Sequence, residues 1–331
     1  MPVQFSIADS EPLNRESLAY SHASSIPGSV VTSLQQTARV LVVSPVERHA
    51  EKPSYNLYSG CGAYGEVYKG IYNGNTVALK VLRCTGAVRD IDKHRKRLSR
   101  EVLAFGQLSH PNVLPFLGLS HSNCELPSPA IVSPWMKNGN IDQYMARNPD
   151  ANRLALVIGI AYGLEYLHSR GVIHGDLHPR NILINSDGAP MLADFGMSSS
   201  EGIEDLDISE GLDRVRYMSP ELVEGNVQQP TTMSDVFSFA SVCYEVLTNM
   251  HPYANLGTVV EIILALYDGG LPFNHHKTRV LDSVEKDQSL WELMSLSWNG
   301  VPEDRPSMNQ TRDALVKIQA GQSLPAFLAR L

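Results

Sequence analysis

The sequence predicts an α+β protein, because strand-like segments dominate its first part and helical patterns dominate the remainder. Short β-branched runs recur at Ala38–Ser44, Thr76–Leu82 and Ala130–Ser133, and such runs are typical of strands. Two apolar patterns with helical periodicity follow at Leu154–Leu167 and Asp235–Leu247. Strand-like runs gathered mainly in one part of the chain and helical patterns gathered in the other favour the α+β class.

Length and composition exclude several classes of protein. The chain has 331 residues, of which 43% are hydrophobic and 19% charged, which is enough for a large buried core. A net charge of -8 and a pI of about 5.8 argue against a general nucleic-acid-binding or anionic-membrane-binding protein. Four scattered cysteines favour reduced thiols. The run Leu154–Leu167 is too short to span a bilayer and no signal-peptide pattern opens the chain, so we expect a cytoplasmic protein, with the nucleus left open.

A glycine-rich stretch precedes a strand that contains a lysine. Glycines at such spacings let the backbone N–H groups of a turn approach phosphates, since side chains there would block the approach. The strand Thr76–Leu82 with Lys80 comes next, whereas a dinucleotide-binding fold would need the last glycine to open a helix. The stretch therefore indicates a phosphate-binding turn between two strands, and the turn comprises Gly60, Cys61, Gly62, Ala63 and Gly65.

The stretch His174–Gly196 contains side chains suited to chemistry on a phosphate. Asp176 can receive the proton of an attacking hydroxyl, and Asn181 with Asp194 can supply oxygen ligands for magnesium. Two short apolar runs around the turn Asn185–Gly188 predict a hairpin. This hairpin would bring Asp194 back beside Asn181.

The spacing of these three residues resembles the catalytic loop and Asp-Phe-Gly signature of eukaryotic protein kinases, in particular the tyrosine-kinase-like group. The resemblance runs from Tyr58 to about residue 320. It implies a two-lobed fold, with a small antiparallel N-lobe sheet plus one helix and a larger, mainly helical C-lobe. The implied boundaries are an N-terminal tail at 1–50 with a possible strand at 38–44, the N-lobe at 51–136, the C-lobe at 137–320 and a C-terminal tail at 321–331.

The resemblance also implies an activity and its partners. ATP would donate its γ-phosphate to a protein hydroxyl of Ser or Thr, with Tyr or dual specificity left open. Asp176 would be the catalytic base, and Asn181 with Asp194 would hold Mg²⁺. Lys80 would contact the α and β phosphates and pair with Glu101, although Glu101 could instead contact a basic residue of its own helix. No nucleic-acid partner is expected, and the oligomeric state is left open.

The adenine pocket is implied by residues that resemble the family's hinge and its surroundings. Ser133 would lie at the back of the pocket, and Met136 would offer backbone hydrogen bonds to the base. Val67, Ala78 and Leu183 would sandwich the ring.

Further motifs lie beyond the Asp-Phe-Gly residues. Ser219-Pro-Glu221 resembles the family's Ala-Pro-Glu motif, and Arg305 stands where the family has an arginine that pairs with that glutamate. We expect this pair to have a structural role, because a buried charge persists only when it is paired. The segment from Met197 to Asp213 is Ser-rich and acidic, and we expect an irregular loop there.

Several positions depart from the family pattern. Gly175 replaces an arginine that normally pairs with a phosphate on the activation loop, so we expect activity without that phosphate. His178 replaces a lysine that contacts the transferred phosphate, and Arg180 is a candidate substitute for it. Arg214 replaces a threonine that orients the catalytic aspartate.

Two alternative functions stay open. The sequence from His174 to Asn181 also resembles the catalytic loop of aminoglycoside and choline phosphotransferases, but those enzymes lack the glycine-rich loop and the Ser-Pro-Glu type of anchor. A pseudokinase that serves as a binding or scaffolding module would usually have lost the lysine, a metal ligand or the base. All of these residues are present here.

Overall fold

The N-terminal part of the chain forms a six-stranded sheet. The computed structural model describes residues 40–41, 44–47, 66–81, 106, 108–120, 130–195, 208–273 and 288–322. The strands are β1 (Val40–Leu41), β2 (Ser44–Glu47), β3 (Glu66–Tyr72), β4 (Asn75–Val81), β5 (Gly118–Ser120) and β6 (Ala130–Pro134). Their order is β1-β5-β6-β4-β3-β2, and all neighbours are antiparallel except β1 and β5.

The register of the central strands gives the sheet two different faces. β3 and β4 are joined through Asn73 and Gly74, which both have positive φ, 49° and 75°, as a tight two-residue hairpin turn requires. Alternate residues of β4 and β6 form a buried apolar cluster on one face: Val77, Leu79, Ala130 and Val132. Because side chains alternate along a strand, Lys80 and Ala78 lie on the opposite face.

A separate two-stranded hairpin follows the sheet. Its strands are β7 (Ile182–Ile184) and β8 (Pro190–Leu192), and Ile182 pairs with Leu192. The Asn185 side chain accepts hydrogen bonds from the backbone N–H groups of Asp187 and Ala189, both at 2.9 Å, which fixes the connecting turn. The hairpin predicted from the sequence is therefore confirmed.

The second part of the chain is helical. Its helices are α1 (Ile141–Arg147), α2 (Arg153–Ser169), α3 (Ile208–Val215), α4 (Pro220–Val223), α5 (Thr232–Thr248), α6 (Val259–Tyr267), α7 (Gln288–Ser297) and α8 (Met308–Gln319). Short 3-10 turns lie at Pro179–Asn181 and Pro302–Asp304. Thr231 and Ser307 begin α5 and α8 as capping boxes, in which the N-cap side chain accepts from the backbone N–H three residues on.

Helices α2 and α5 form the centre of the helical part. Leu164 and Leu167 in α2 and Phe239 and Val242 in α5 are almost fully buried, in one continuous core. This agrees with the two apolar patterns in the sequence. Within the described part of the chain, no helix is both long and apolar enough to cross a membrane.

The predicted α+β class is confirmed, but the predicted loop from Met197 to Asp213 is wrong at its C-terminal end. Helix α3 begins at Ile208 and continues past Asp213 to Val215. Val215 is buried in the main core and Leu212 packs against it. Tertiary contacts therefore stabilise a helix in a segment whose acidic, Ser-rich composition indicated none.

Candidate active site

The loop that carries Asp176 is fixed by the first turn of helix α5. The Asp235 carboxylate accepts hydrogen bonds from the backbone N–H of His174 at 2.8 Å and of Gly175 at 2.7 Å. The same carboxylate lies 2.8 Å from His168 Nε2 in α2. Gly175 has a φ of 74°, which glycine adopts without strain. The backbone on the N-terminal side of Asp176 is thus held by a carboxylate that is 1% exposed.

The hairpin brings Asn181 and Asp194 to the same end of the site. The Ala193 N–H donates to the Asn181 carbonyl at 2.9 Å, so the residue before Asp194 is hydrogen-bonded to Asn181. The Asn181 amide nitrogen donates to the Asp176 carbonyl at 2.8 Å. Because its nitrogen is used in this way, the amide of Asn181 has its oxygen left to bind a cation.

Asp194 is paired with the lysine of the sheet. Lys80 Nζ lies 2.7 Å from Asp194 Oδ1, and their side chains are 12% and 34% exposed. Asp194 has a φ of 59°, an uncommon conformation for a residue with a side chain and one that recurs at functional sites. The next residue, Phe195, is fully buried, with its ring 6.2 Å from that of His174. The lysine predicted to contact phosphates and a predicted metal ligand are therefore in direct contact.

The Asp176 carboxylate has an arginine beside one oxygen and a histidine beside the other. Arg214 Nε lies 2.8 Å from Oδ1, and His178 Nε2 lies 3.7 Å from Oδ2. Burial disfavours the ionised carboxyl, but the charges of His178 and Arg214 outweigh that effect and hold the pKa of Asp176 below its usual range. Asp176 is therefore a carboxylate at neutral pH, as a proton acceptor must be.

Two further arginines near the site have partners of their own. Arg180 contacts Asp213 in helix α3. Arg216 donates to the backbone carbonyls of Pro252 at 2.6 Å and Tyr253 at 2.7 Å, and to that of Leu256 at 3.0 Å. Arg214 contacts Asp176 in a way that sequence reasoning missed, and its only signal was the departure from the family pattern at position 214.

The predicted adenine-binding residues lie on the face of the sheet that carries Lys80. Val67 is directly opposite Lys80, and Ala78 is directly opposite Ser133, so all four share one face. Beyond β6, the Met136 carbonyl accepts a hydrogen bond from the Gly139 N–H at 3.1 Å.

Leu183 lies in β7, where the isolated bridge between Asn140 and Leu183 ties that strand to the segment after β6. The structure thus connects Leu183 to the hinge-like segment that follows Ser133. The predicted glycine-rich turn and the predicted partner of Lys80 lie outside the described residues: Gly60, Cys61, Gly62, Ala63, Gly65 and Glu101.

A cavity of about 450 Å³ opens beside Asp176. Charged side chains in its lining include Asp176, His178 and Arg214, and apolar ones include Met218 and Leu222. The cavity beside the Asp176 carboxylate is therefore lined by both charged and apolar side chains.

The predicted pair between Glu221 and Arg305 is present. Arg305 donates from both terminal nitrogens to the two Glu221 oxygens, each at 2.8 Å. The Arg305 side chain is fully buried, and it also donates to the carbonyls of Met233 and Asn299. This arrangement anchors the start of α4 to the C-terminal part of the chain.

The donor set fits Mg²⁺, which binds oxygen ligands and usually takes only one or two protein carboxylates together with phosphate oxygens. Asp194 offers a carboxylate and Asn181 an amide oxygen at the same end of the hairpin. Within the described ranges, no group of three or more His, Cys, Asp or Glu side chains could hold a metal ion. The carboxylate of Asp194 and the amide oxygen of Asn181 suit a metal that also binds phosphate oxygens.

Comparison with known proteins identifies the family. Residues 57–315 match the family model described as protein tyrosine and serine/threonine kinase. The mouse serine/threonine-protein kinase TNNI3K is 28% identical over 298 residues, which cover 86% of this chain and 34% of that protein. The L-type lectin-domain containing receptor kinase I.3 of Arabidopsis thaliana is 30% identical over 268 residues, which cover 76% of this chain and 39% of that protein.

A third relative, the serine/threonine/tyrosine-protein kinase HT1 of Arabidopsis thaliana, is 29% identical over 264 residues, covering 77% of this chain and 64% of that protein. The chain spans less than two thirds of the length of each of these three relatives. The resemblance to protein kinases that was inferred from the sequence motifs is confirmed. The chain belongs to the family of protein tyrosine and serine/threonine kinases.

Proposed function

We propose that this chain transfers the γ-phosphate of ATP to a Ser or Thr hydroxyl of a protein. The observation that carries the proposal is the position of Asp176. Its carboxylate is 6% exposed and borders the cavity of about 450 Å³. Asp235 holds the two residues before it, and Asn181 donates to its carbonyl. A carboxylate fixed in this way can accept a proton from a hydroxyl presented in that cavity.

In the proposed reaction, the acceptor oxygen forms a bond to the γ-phosphorus as the bond from that phosphorus to the bridging oxygen of ADP breaks. The electron pair of the broken bond leaves with ADP, and the hydroxyl proton passes to Asp176. The low pKa of Asp176 keeps it ready to accept a hydrogen bond, so its main contribution is to orient the hydroxyl. His178 and Arg180 are proposed to add positive charge near the transferred group.

The nucleotide is proposed to lie against the face of the sheet that carries Lys80. Lys80 would contact the α and β phosphates, with the glycine-rich turn above them and Glu101 as the partner of the lysine. The adenine would lie among Val67, Ala78, Ser133, Met136 and Leu183. Asn181 and Asp194 would hold Mg²⁺, which when bound neutralises charge on the phosphates.

Ser/Thr specificity is supported by the names of the relatives. TNNI3K is named a serine/threonine-protein kinase, and HT1 is named a serine/threonine/tyrosine-protein kinase. The class that these names share is the one that we propose for this chain.

Phosphoamino-acid analysis of a degenerate peptide library, after incubation with the enzyme, ATP and Mg²⁺, tests the proposal. We expect phosphoserine and phosphothreonine. Phosphotyrosine alone would contradict the specificity. Choline and an aminoglycoside are offered as acceptors in parallel, and transfer to either of them with no transfer to peptide would contradict the proposed function.

A further inference from the structure

Arg214 makes a buried contact with the catalytic carboxylate. Its Nε lies 2.8 Å from Asp176 Oδ1, and the two side chains are 16% and 6% exposed. A guanidinium remains charged at any pH that a folded protein tolerates. An ion pair shielded from water to this degree is much less screened than one on the surface. The electrostatic attraction between Arg214 and Asp176 is therefore stronger than that of an ion pair on the surface.

Other basic groups near the site are engaged in contacts of their own. Lys80 pairs with Asp194, and Arg180 contacts Asp213. His178 is 3.7 Å from the second oxygen of Asp176, but an imidazole carries charge only when protonated. Arg214 is thus the permanently charged side chain for which the structure records direct contact with Asp176.

The two oxygens of Asp176 have different surroundings. Oδ1 receives Arg214, whereas Oδ2 faces the Asn181 amide nitrogen at 3.4 Å and His178. A carboxylate oxygen can accept more than one hydrogen bond, so the arginine leaves room for an acceptor hydroxyl. With neighbouring side chains at both oxygens, the plane of the carboxylate is restrained before substrate binds.

The helix that presents Arg214 is itself tied to the catalytic loop. Asp213, the preceding residue, contacts Arg180, and the following residue, Val215, is buried in the core. The end of α3 is therefore held at both sides of Arg214. This support limits the movement of the guanidinium relative to Asp176.

We propose that Arg214 is a positioning residue for phosphate transfer, which orients the Asp176 carboxylate and places a permanent positive charge beside it. This inference rests on the proposed function, in which Asp176 is the base. In this family a lysine at position 178 would carry a permanent charge, whereas His178 is charged only when protonated. We assign the permanent charge to Arg214 instead. The same contact could instead hold Asp176 away from the acceptor, and the two readings predict opposite effects of removing the arginine.

The test compares wild type with Arg214→Thr, Arg214→Lys, His178→Lys and the double variant Arg214→Thr/His178→Lys. Arg214→Thr should lower kcat by about 10- to 100-fold, with the KM for ATP within about threefold, since a hydrogen bond to a charged group is lost. Arg214→Lys should retain most of the rate. We expect a lysine at position 178 to reach the other oxygen of Asp176. The kcat of the double variant should therefore be at least about fivefold higher than that of Arg214→Thr.

Arg312→Thr is the matched control. Arg312 pairs with Glu165 at 3.2 Å, and its side chain is 21% exposed, similar to that of Arg214. We expect this control to keep the wild-type rate. A rise in rate on Arg214→Thr would overturn the proposal, and so would equal losses in the threonine and lysine variants or an absence of recovery in the double variant.

Hydrolysis of ATP to ADP is measured beside peptide phosphorylation, because transfer to water needs the same base. Hydrolysis without peptide transfer would contradict the proposed function, while the hydrolysis rates of the variants would still decide the role of Arg214. If wild type performs neither reaction, both proposals fail.

Discussion

Two arginine–carboxylate pairs in the helical part of the molecule use the same chemistry for different purposes. Arg305 makes two hydrogen bonds to Glu221 and two more to backbone carbonyls, and its side chain has no exposed surface. Arg214 contacts Asp176 through Nε at the wall of an open cavity. A pair enclosed in this way can only hold the structure together. A pair at a cavity wall leaves the carboxylate able to accept a substrate hydroxyl.

The largest effect on the catalytic side of this comparison should follow Asp194→Asn. The substitution removes the charge that pairs with Lys80 and a proposed Mg²⁺ ligand. We expect peptide phosphorylation to fall at least about 1000-fold, or roughly 4 kcal/mol of barrier. The exposed Asp268→Asn is the control, and its rate should not change. A rate for Asp194→Asn within tenfold of wild type would contradict the assignment.

Arg305→Met should have the largest effect on stability. It leaves Glu221 buried without its partner, so we expect the free energy of unfolding to fall by about 3–5 kcal/mol, as measured in urea. Arg312→Met, at a more exposed pair, should cost less than about 1 kcal/mol. Changing both Arg305 and Glu221 to Met should recover part of the loss. A cost below 1 kcal/mol for Arg305→Met would show that the two arginine pairs do not differ as described.

A smaller effect is expected from Asp142, which lies in the first turn of α1. Burial and then the nearby Glu245 charge raise the pKa of Asp142 from 3.8 to about 6. The folded state therefore binds an extra proton between about pH 4 and 6, and stability falls as pH rises through that window. Asp142→Asn should raise the free energy of unfolding at pH 7 by about 1–2 kcal/mol and change it little below pH 4. The exposed Asp150→Asn is the control, and an equal gain in both variants would contradict this account.

The smallest effect should come from removing the serines of the segment from Met197 to Asp213 as candidate phosphorylation sites. Two arginines follow that segment, and both already have partners. Arg214 contacts Asp176, and Arg216 donates to three backbone carbonyls. Changing all four serines to Ala should lower the rate less than tenfold, about 1.4 kcal/mol of barrier, and so should phosphatase treatment. These serines are Ser198, Ser199, Ser200 and Ser209. A tenfold or greater fall in both preparations would show that a loop phosphate is required.

Local patterns predicted much of the fold. The hairpin around Asn185–Gly188 was predictable because its turn residues and apolar runs are adjacent in sequence. The pair between Glu221 and Arg305 was predictable only from the family resemblance, since 84 residues separate the partners. Motif residues at defined positions thus predicted structure better than overall composition did.

Helix α3 and the Arg214 contact could not be predicted in the same way. The helix depends on the burial of Leu212 and Val215 against a core assembled from distant segments. The arginine then reaches Asp176 because of where that helix ends. Such contacts depend on tertiary packing, which the periodicity of one short segment does not reveal.

The most direct test of the central claim, that Asp176 is the base for phosphate transfer, is Asp176→Asn. The variant keeps the size of the side chain and removes the proton acceptor. We expect kcat for peptide phosphorylation to fall at least about 100-fold, while the Kd for ATP, measured by calorimetry, stays within about threefold of wild type. If Asp176→Asn binds ATP normally and keeps more than a tenth of the wild-type kcat, Asp176 is not the base.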